Sequence, residues 1–577
     1  MKKGLKGSSK NRENMIFYTL MVIFVMIVFF IHSKPETPVE EKHIPKSKLR
    51  TAPVVESCLP NRIKEFNWKR NPNSIEIQIH TTDGNDIVSK DPYRDGNRVL
   101  KDGTTLFWNV SLNKDPHPDT IATACILAFM PHLSDCLVFP KPVSVYFVAQ
   151  LEALNIKKQA GHNKEIRILS MVDSNLTPAN KKLDYSFGMK GNTKSVVVWG
   201  GGSDSSGVAI LLHDSILYHE EYLGKNDYLE PLDDKHGRAL KGWRQRGRVV
   251  KIVKTNLRKM YGKGHWGMPW WGSVMVGSLL YAEANKLKSI STGTISDALF
   301  LASGFRGKNA PSITHLVKHG APFVAKMCEL AGIWYNQPNG PIGEWAGAKI
   351  IMVESKKTNT NVINDISYCD KHHGEHCNKC SKCARKEALL LAAAWEVSGI
   401  PPAEAIKLFP NNPEKPYMER YHHHYHWQEG QIPPPHHPKC GYYVSSRASF
   451  AKSLMKHHDF VDLKELPSKK ILMDIDNILP KMDFTDSVSE TLLQSTNRPA
   501  PFAAYLKRRY REYDIPVADA GSSQDINILK QMNSFSYQKL AEEALKSGMD
   551  PAVFKKEIGE SHRKVETCHS PQVVKLS

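Results

Sequence analysis

Val196-Val197-Val198-Trp199-Gly200-Gly201-Gly202-Ser203-Asp204-Ser205-Ser206-Gly207 decides the fold of this chain. The three branched apolar residues read as a buried strand, and the apolar run that follows (Val208, Ala209, Ile210, Leu211, Leu212) reads as a helix. Between them lie three glycines and small polar residues. A strand, a glycine turn and a helix N-terminus form an anion cradle: backbone N–H groups point outward, glycine lets a phosphate come close, and the helix dipole favours negative charge. The spacing is not the G-x-x-x-x-G-K-[ST] of a Walker A loop. An ordinary glycine-rich strand-to-helix turn is the alternative reading.

A second signature lies downstream. Cys369, Cys377, Cys380 and Cys383 have the spacing C-x7-C-x2-C-x2-C. Tight x2 spacings let several thiolates converge on one ion, and four thiolates close a tetrahedral structural Zn²⁺ site. Such a site serves folding, because it leaves no open position for catalysis. Two disulfides or scattered thiols are the alternatives, and His372, His373 and His376 are spare ligands.

Between the signatures the chain alternates. Arg248 to Val253 reads as a strand, Ser273 to Lys286 as a helix, and Ser289 to Asp297 as a strand ending in a polar loop. Alternation of this kind predicts an α/β domain with a parallel sheet and a ligand at the carboxyl ends of the strands.

The run from Gly200 to Ser205 resembles the PP-loop, Ser-Gly-Gly-x-Asp-Ser, of the ATP pyrophosphatase superfamily: Gly201, Gly202, Asp204 and Ser205 match, and Gly200 stands where the pattern has its first Ser. A PP-loop followed by C-x-x-C-x-x-C-x-Arg is similar to two families in particular. One is the 7-cyano-7-deazaguanine synthases; the other is the epimerases that adenylate and invert the terminal glutamate of UDP-muramoyl-L-Ala-L-Glu. The resemblance covers residues 190 to 400. The lysine expected before the cluster has no clear counterpart, and His319-Gly320-Ala321-Pro322 occupies its neighbourhood.

What the resemblance implies is a parallel-sheet, HUP-like nucleotide domain that splits ATP into AMP and pyrophosphate by adenylating a carboxylate or related oxygen. ATP and Mg²⁺ would be its cofactors beside Zn²⁺. Gly200, Gly201, Gly202, Ser203, Asp204 and Ser205 would hold the nucleotide, with Gly293 from a Gly-x-x-x-Asp loop. Asp204, Ser205 and Asp297 would be the catalytic set, since Mg²⁺ prefers one or two carboxylates plus phosphate oxygens. Asp297 as a helix N-cap is the other reading. The sequence also leaves open a non-catalytic nucleotide-binding or scaffold protein, and a nucleoside- or tRNA-modifying enzyme.

The remaining segments set the context. Met15 to Ile31 carries no charge, and at 1.5 Å per residue it covers roughly 25 Å, the short end of a bilayer span. No small-residue cleavage site follows, so it reads as an uncleaved signal anchor, with a basic tail at 1–14, the span at 15–32 and a Pro/Lys/Glu-rich stem at 33–60. Lys2, Lys3, Lys6, Lys10 and Arg12 precede the span, so the positive-inside rule places the N-terminus in the cytosol and the body in a lumen. A cytosolic body is the alternative. Asn109-Val110-Ser111 and Asn175-Leu176-Thr177 are glycosylation sequons.

Ile75 to Ile79 alternates like a strand and Ala122 to Met130 reads as a buried helix, giving an N-terminal α/β domain at 61–190 before the nucleotide domain at 191–400. The aromatic loop Gly264-His265-Trp266-Gly267-Met268-Pro269-Trp270-Trp271 fits either core packing or a substrate cover. From 401 to 577 proline punctuates the chain, a histidine tract spans Tyr421 to Trp427, and a mainly helical region is expected. The net charge of +19 suits nucleic acid, anionic lipid or a phosphorylated substrate. No RNA-binding module accompanies it, and the run Lys507-Arg508-Arg509-Tyr510-Arg511 reads as a solvated helix face.

Overall fold

In this computed structural model the described residues are 57–90, 97–112, 114–154, 156, 162–183, 195–223, 237–261, 271–294, 323–367, 381–400, 402–409, 487–495, 500–526 and 528. Met1–Ser57 and Cys58–Ser577 are separate units, and the sheet with its helices belongs to the second. The expected membrane span, the stem up to residue 56, Cys369, Cys377, Cys380, Asp297, the loop at 264–270 and the histidine tract lie outside the described residues, as does the side chain of Cys383.

Alternating apolar residues build the first hairpin. Strands β1 (Ile63–Asn71) and β2 (Ser74–Thr81) pair antiparallel, and Ile75, Ile77 and Ile79 of β2 all turn inward. A side hairpin of β3 (Ile87–Lys90) and β4 (Asn97–Leu100) leads to β5 (Thr105–Trp108), which pairs with β2. Helix α1 (Pro118–Phe129) starts with proline at its first position and is buried nearly all round. Then come β6 (Leu133–Val138), which pairs parallel with β1, β7 (Val143–Ser144), α2 (Val145–Ala153), β8 (Arg167–Ile168) and β9 (Val172–Asp173). A disulfide joins Cys58 to Cys136 on β6.

The second half is a run of parallel strands with helical crossovers: β10 (Ser195–Val198), α3 (Ser203–Leu211), β11 (Ile216–Tyr222), α4 (Gly237–Gln245), β12 (Val250–Thr255), α5 (Val276–Ala284), β13 (Ser289–Thr292) and β14 (Trp334–Asn336). Helices α6 (Glu344–Thr358) and α7 (Ser381–Ser398) follow, then β15 (Val488–Ser489), α8 (Glu490–Ser495), α9 (Ala500–Glu512) and β16 (Val517–Ala518), which pairs with β15.

The sheet order is β14-β13-β10-β11-β12-β5-β2-β1-β6-β8, ten strands in all. The fold is therefore α/β with one large, mostly parallel mixed sheet of Rossmann-like order. Strands β5, β2, β1, β6 and β8 of the N-terminal stretch continue the large sheet, while β3–β4 and β7–β9 form two small sheets of two strands each. The join is at β12, where Thr255 pairs with Trp108 and Asn256 Oδ1 accepts from the Phe107 N–H at 2.9 Å.

Neighbouring residues of a strand enter different cores, so the parallel strands are covered on both faces. Val197, Leu217 and Trp334 join α3, α4, α6, α7 and α9, while Val196, Tyr218 and Tyr335 join α1, α5 and the antiparallel strands. Helix α9 reaches the first core through Phe502, Leu506 and Tyr510, spaced four apart on one face. Phe502 meets Trp334 edge-on with ring centroids 4.6 Å apart.

Candidate functional site

The chain runs from β10 outward through β11 to β12, then returns to place β13 on the other side of β10. In an open α/β sheet a reversal of this kind leaves a crevice at the carboxyl ends of the two diverging strands. Residues 200–205 follow β10 and Gly293 follows β13, so the topology itself brings together two groups of residues that the sequence marks for the nucleotide.

Local chemistry shapes the loop. Gly201 has φ +83°, a left-handed conformation that glycine adopts without strain. Its carbonyl accepts from the Ser367 N–H at 2.6 Å. Ser205 staples the turn from inside: its hydroxyl accepts from the Gly200 N–H at 3.2 Å and donates to the Gly202 carbonyl at 3.1 Å. Ser206 accepts from the Trp199 indole N–H at 3.2 Å, and the Trp199 carbonyl lies 3.0 Å from His219 Nδ1. Helix α3 starts after Gly202 with no side-chain cap. Its first N–H groups have no carbonyl a turn earlier to bond, which is the arrangement that suits an anion.

Gly293 lies hard against this helix start. A Cβ there would sit 2.6 Å from Ser205 N and 2.8 Å from the Asp204 carbonyl carbon, both backbone atoms. Only glycine lets the β13 turn come this close. Beside it, Thr292 Oγ1 lies 2.9 Å from Tyr335 Oη, which also accepts from Gln337 Nε2 at 2.9 Å. Asn339 Nδ2 donates to the Asp204 carbonyl at 2.7 Å.

Folding brings to the loop two buried charged side chains that sequence reasoning misses. Lys386, on α7, places its ammonium 2.7 Å from Asp204 Oδ1 and 2.9 Å from Oε1 of Glu344, the first residue of α6. The Lys386 side chain is 3% exposed and that of Glu344 is fully buried, whereas Asp204 is 25% exposed and forms the outer member of the trio. The expected lysine has no clear counterpart before the cysteine cluster; this one comes just after it, in Cys383-Ala384-Arg385-Lys386. The signal in sequence is a cation one helical turn past the last cysteine, and nothing in spacing ties it to a loop so far upstream. Ser367 and Lys386 thus both bond to the loop, at Gly201 and at Asp204.

The donors at the mouth suit a hard cation. Asp204 presents a carboxylate there, and Ser203 Oγ donates to its Oδ1 at 3.3 Å; oxygen ligands of this kind fit Mg²⁺ shared with phosphate. Among the described residues no group of three or more His, Cys, Asp or Glu side chains is placed to hold a metal ion, and no helix is long and apolar enough to cross a membrane.

Another buried acid, Glu220, lies on β11. Burial pushes the Glu220 carboxyl up to about 8, against the lowering effect of the Tyr222 hydroxyl and of Arg258. Glu220 Oε2 accepts from Tyr222 Oη at 3.3 Å.

Comparison of the chain with family models, with curated proteins and with solved structures gave no match.

Proposed function

We propose that the chain is a membrane-anchored, AMP-forming ATP pyrophosphatase of the PP-loop type, which adenylates a substrate carboxylate or related oxygen. The observation that carries the reading is the Gly200–Ser205 loop at the strand-order reversal, with Gly293 closing on its backbone and a buried lysine at its mouth. An anion cradle at that place in an α/β sheet is where a nucleotide phosphate binds.

The chemistry follows from charge. A substrate oxygen attacks the α-phosphorus of ATP, a new P–O bond forms, and the bridging oxygen leaves with its electron pair as part of pyrophosphate. N–H groups at the start of α3 receive the phosphate charge, and Lys386 adds a fixed cation. The walls of the crevice hold the reactants in line, which is most of what phosphoryl and nucleotidyl transfer asks of a protein. When bound by Asp204, Mg²⁺ would neutralise charge on the leaving pyrophosphate. Asp297 serves in this reading as a second magnesium carboxylate, and the four cysteines as a structural Zn²⁺ site.

The body faces a lumen in this reading. Its support is the Cys58–Cys136 disulfide, a bond of oxidising compartments, together with exposed Asn109 and Asn175 in both sequons. The experiment is release of AMP and pyrophosphate by the full chain in detergent, given Mg-ATP and a panel of amino acids, dipeptides and glycan or nucleoside carboxylates. Substrate-dependent AMP that vanishes in Asp204→Ala supports the reading. Release that survives Asp204→Ala removes Asp204 from the mechanism, and a wild type that neither binds nor splits ATP ends the proposal.

A further inference from the structure

The trio of Asp204, Lys386 and Glu344 has a property that a static ion pair does not need. Two carboxylates share one ammonium, so the group carries an excess negative charge, yet it sits where helices α3 and α6 both begin. Helix starts favour negative charge. The acidic side chains themselves lie where an anion is favoured. The three members also differ in exposure: the ammonium and Glu344 are inside, and Asp204 faces outward. A phosphate arriving through the crevice meets Asp204 first and finds the ammonium directly behind it.

We propose that Lys386 is a phosphate-binding residue and that its pair with Asp204 is the resting form of a partner exchange. When Mg-nucleotide enters, the ammonium turns from the Asp204 carboxylate to a phosphate oxygen, and the released carboxylate takes the magnesium ion. The inference rests on the nucleotide reading of the loop. The exchange is one for one. Before binding, Asp204 and Glu344 share the ammonium; after it, Glu344 and a phosphate oxygen share it, and Mg²⁺ partners Asp204. Glu344 holds the ammonium throughout, so the buried lysine is never without a counter-charge, a condition that would be strongly destabilising. The exchange also makes empty and loaded sites differ by a short side-chain rotation, with no element of the fold displaced.

Binding of inorganic pyrophosphate and of Mg-ATP to the full chain in detergent, with Mg²⁺ or with EDTA, separates the exchange from a merely structural pair. Asp204→Asn frees the ammonium from its outer partner and removes the metal ligand. It should bind metal-free pyrophosphate more tightly than wild type, by about fivefold to tenfold, and should gain nothing from Mg²⁺. Lys386→Met should bind pyrophosphate at least about tenfold more weakly with and without metal. Opposite directions in the two variants are the signature. If Asp204→Asn weakens metal-free binding, or if Lys386→Met leaves binding unchanged, the exchange is wrong while the nucleotide site stands. If Lys386→Met fails to fold, Asp204→Asn decides alone. A wild type that binds neither probe overturns the nucleotide reading and the exchange together.

Discussion

The two ends of helix α3 are furnished in opposite ways. At its start there is no side-chain cap, acids lie in the first turn of α3 and of its neighbour α6, and Gly293 packs against the backbone of the first turn. At its end the carbonyls are taken by side chains. Arg248 donates to the carbonyls of Ala209 at 2.6 Å, Leu212 at 3.0 Å and Ser215 at 3.0 Å. Arg509 donates to those of Leu211 at 3.1 Å and Ile210 at 2.9 Å, and Tyr505 Oη donates to Leu211 at 2.7 Å. Cations at a helix C-terminus complement the dipole and satisfy the last carbonyls. One end is completed by side chains of the protein; the other begins without a side-chain cap, and in the proposed function a phosphate completes it. The basic run of α9 is thereby explained in part: Arg509 turns inward to α3, and Lys507 pairs with Glu490 at 2.7 Å. It is more than a solvated face.

Changes at the open end should cost ligand binding, and changes at the closed end should cost stability. The largest effect is expected from Gly293→Val, whose Cβ would press on Ser205 N at 2.6 Å. A backbone clash of this kind should destabilise by about 3 kcal/mol and abolish the rise in Tm given by Mg-ATP. Retention of that rise would mean that the β13 turn is no wall of the site. Arg248→Met strips three carbonyls of a donor and should lower stability by about 2–3 kcal/mol in urea titrations, with pyrophosphate affinity kept within about twofold. A large loss of affinity would erase the distinction between the ends. Arg509→Ala, on the other side of the same cap, should cost about 1–2 kcal/mol by the same measure.

Two buried glutamates sharpen the contrast further. Glu344 has an ammonium at 2.9 Å, whereas for Glu220 burial outweighs the Tyr222 hydrogen bond and the Arg258 charge, and its pKa rises from 4.5 to about 8. The folded protein therefore keeps a proton on Glu220 that the unfolded chain loses. Its contribution is whole below about pH 4.5 and is lost as pH rises through about 8. Glu220→Gln should match wild type within about 1 kcal/mol near pH 5 and become the more stable protein toward pH 9. A difference that does not change with pH would disprove a neutral Glu220. The smallest effect belongs to Gly200→Ser. A Cβ at Gly200 meets nothing within 4 Å, so the substitution should shift stability by less than about 0.5 kcal/mol. In the proposed nucleotide site the added hydroxyl should tighten pyrophosphate binding by up to about tenfold. Weaker binding would show that the loop is tuned to glycine there.

Sequence and structure agree where contacts are local. Strand β10, its glycine turn and α3 are legible because apolar run, glycines and helix follow one another within a short stretch of chain. The placement of Gly293 beside them is legible only through its resemblance to the PP-loop pattern. Strand β11 is not legible. Its centre reads Tyr218-His219-Glu220-Glu221-Tyr222, charges that break the apolar run, yet it pairs on both sides with β10 and β12, and there burial pushes the Glu220 carboxyl up and His219 bonds to the Trp199 carbonyl. Nor can sequence show that 61–190 shares the sheet, since the join at Trp108 and Thr255 is a pairing of residues far apart in the chain. Lys386 is hidden for the same reason: one lysine among many on a helical stretch, distinguished only by the carboxylates that folding brings to it.

The Cys58–Cys136 bond has a mechanical consequence. Cys58 lies at the very start of the folded body, and Cys136 lies on β6, an interior strand held between β1 and β8. Tension arriving along the preceding polypeptide is passed by the disulfide directly to that interior strand. It bypasses the start of β1 at Ile63, where a pull would otherwise begin to peel the hairpin. A protease cut between Cys58 and Ile63 would likewise leave the leading segment covalently attached. The sheet is thus joined to its leading segment at two points, and that segment can be loaded or nicked without opening the first seam.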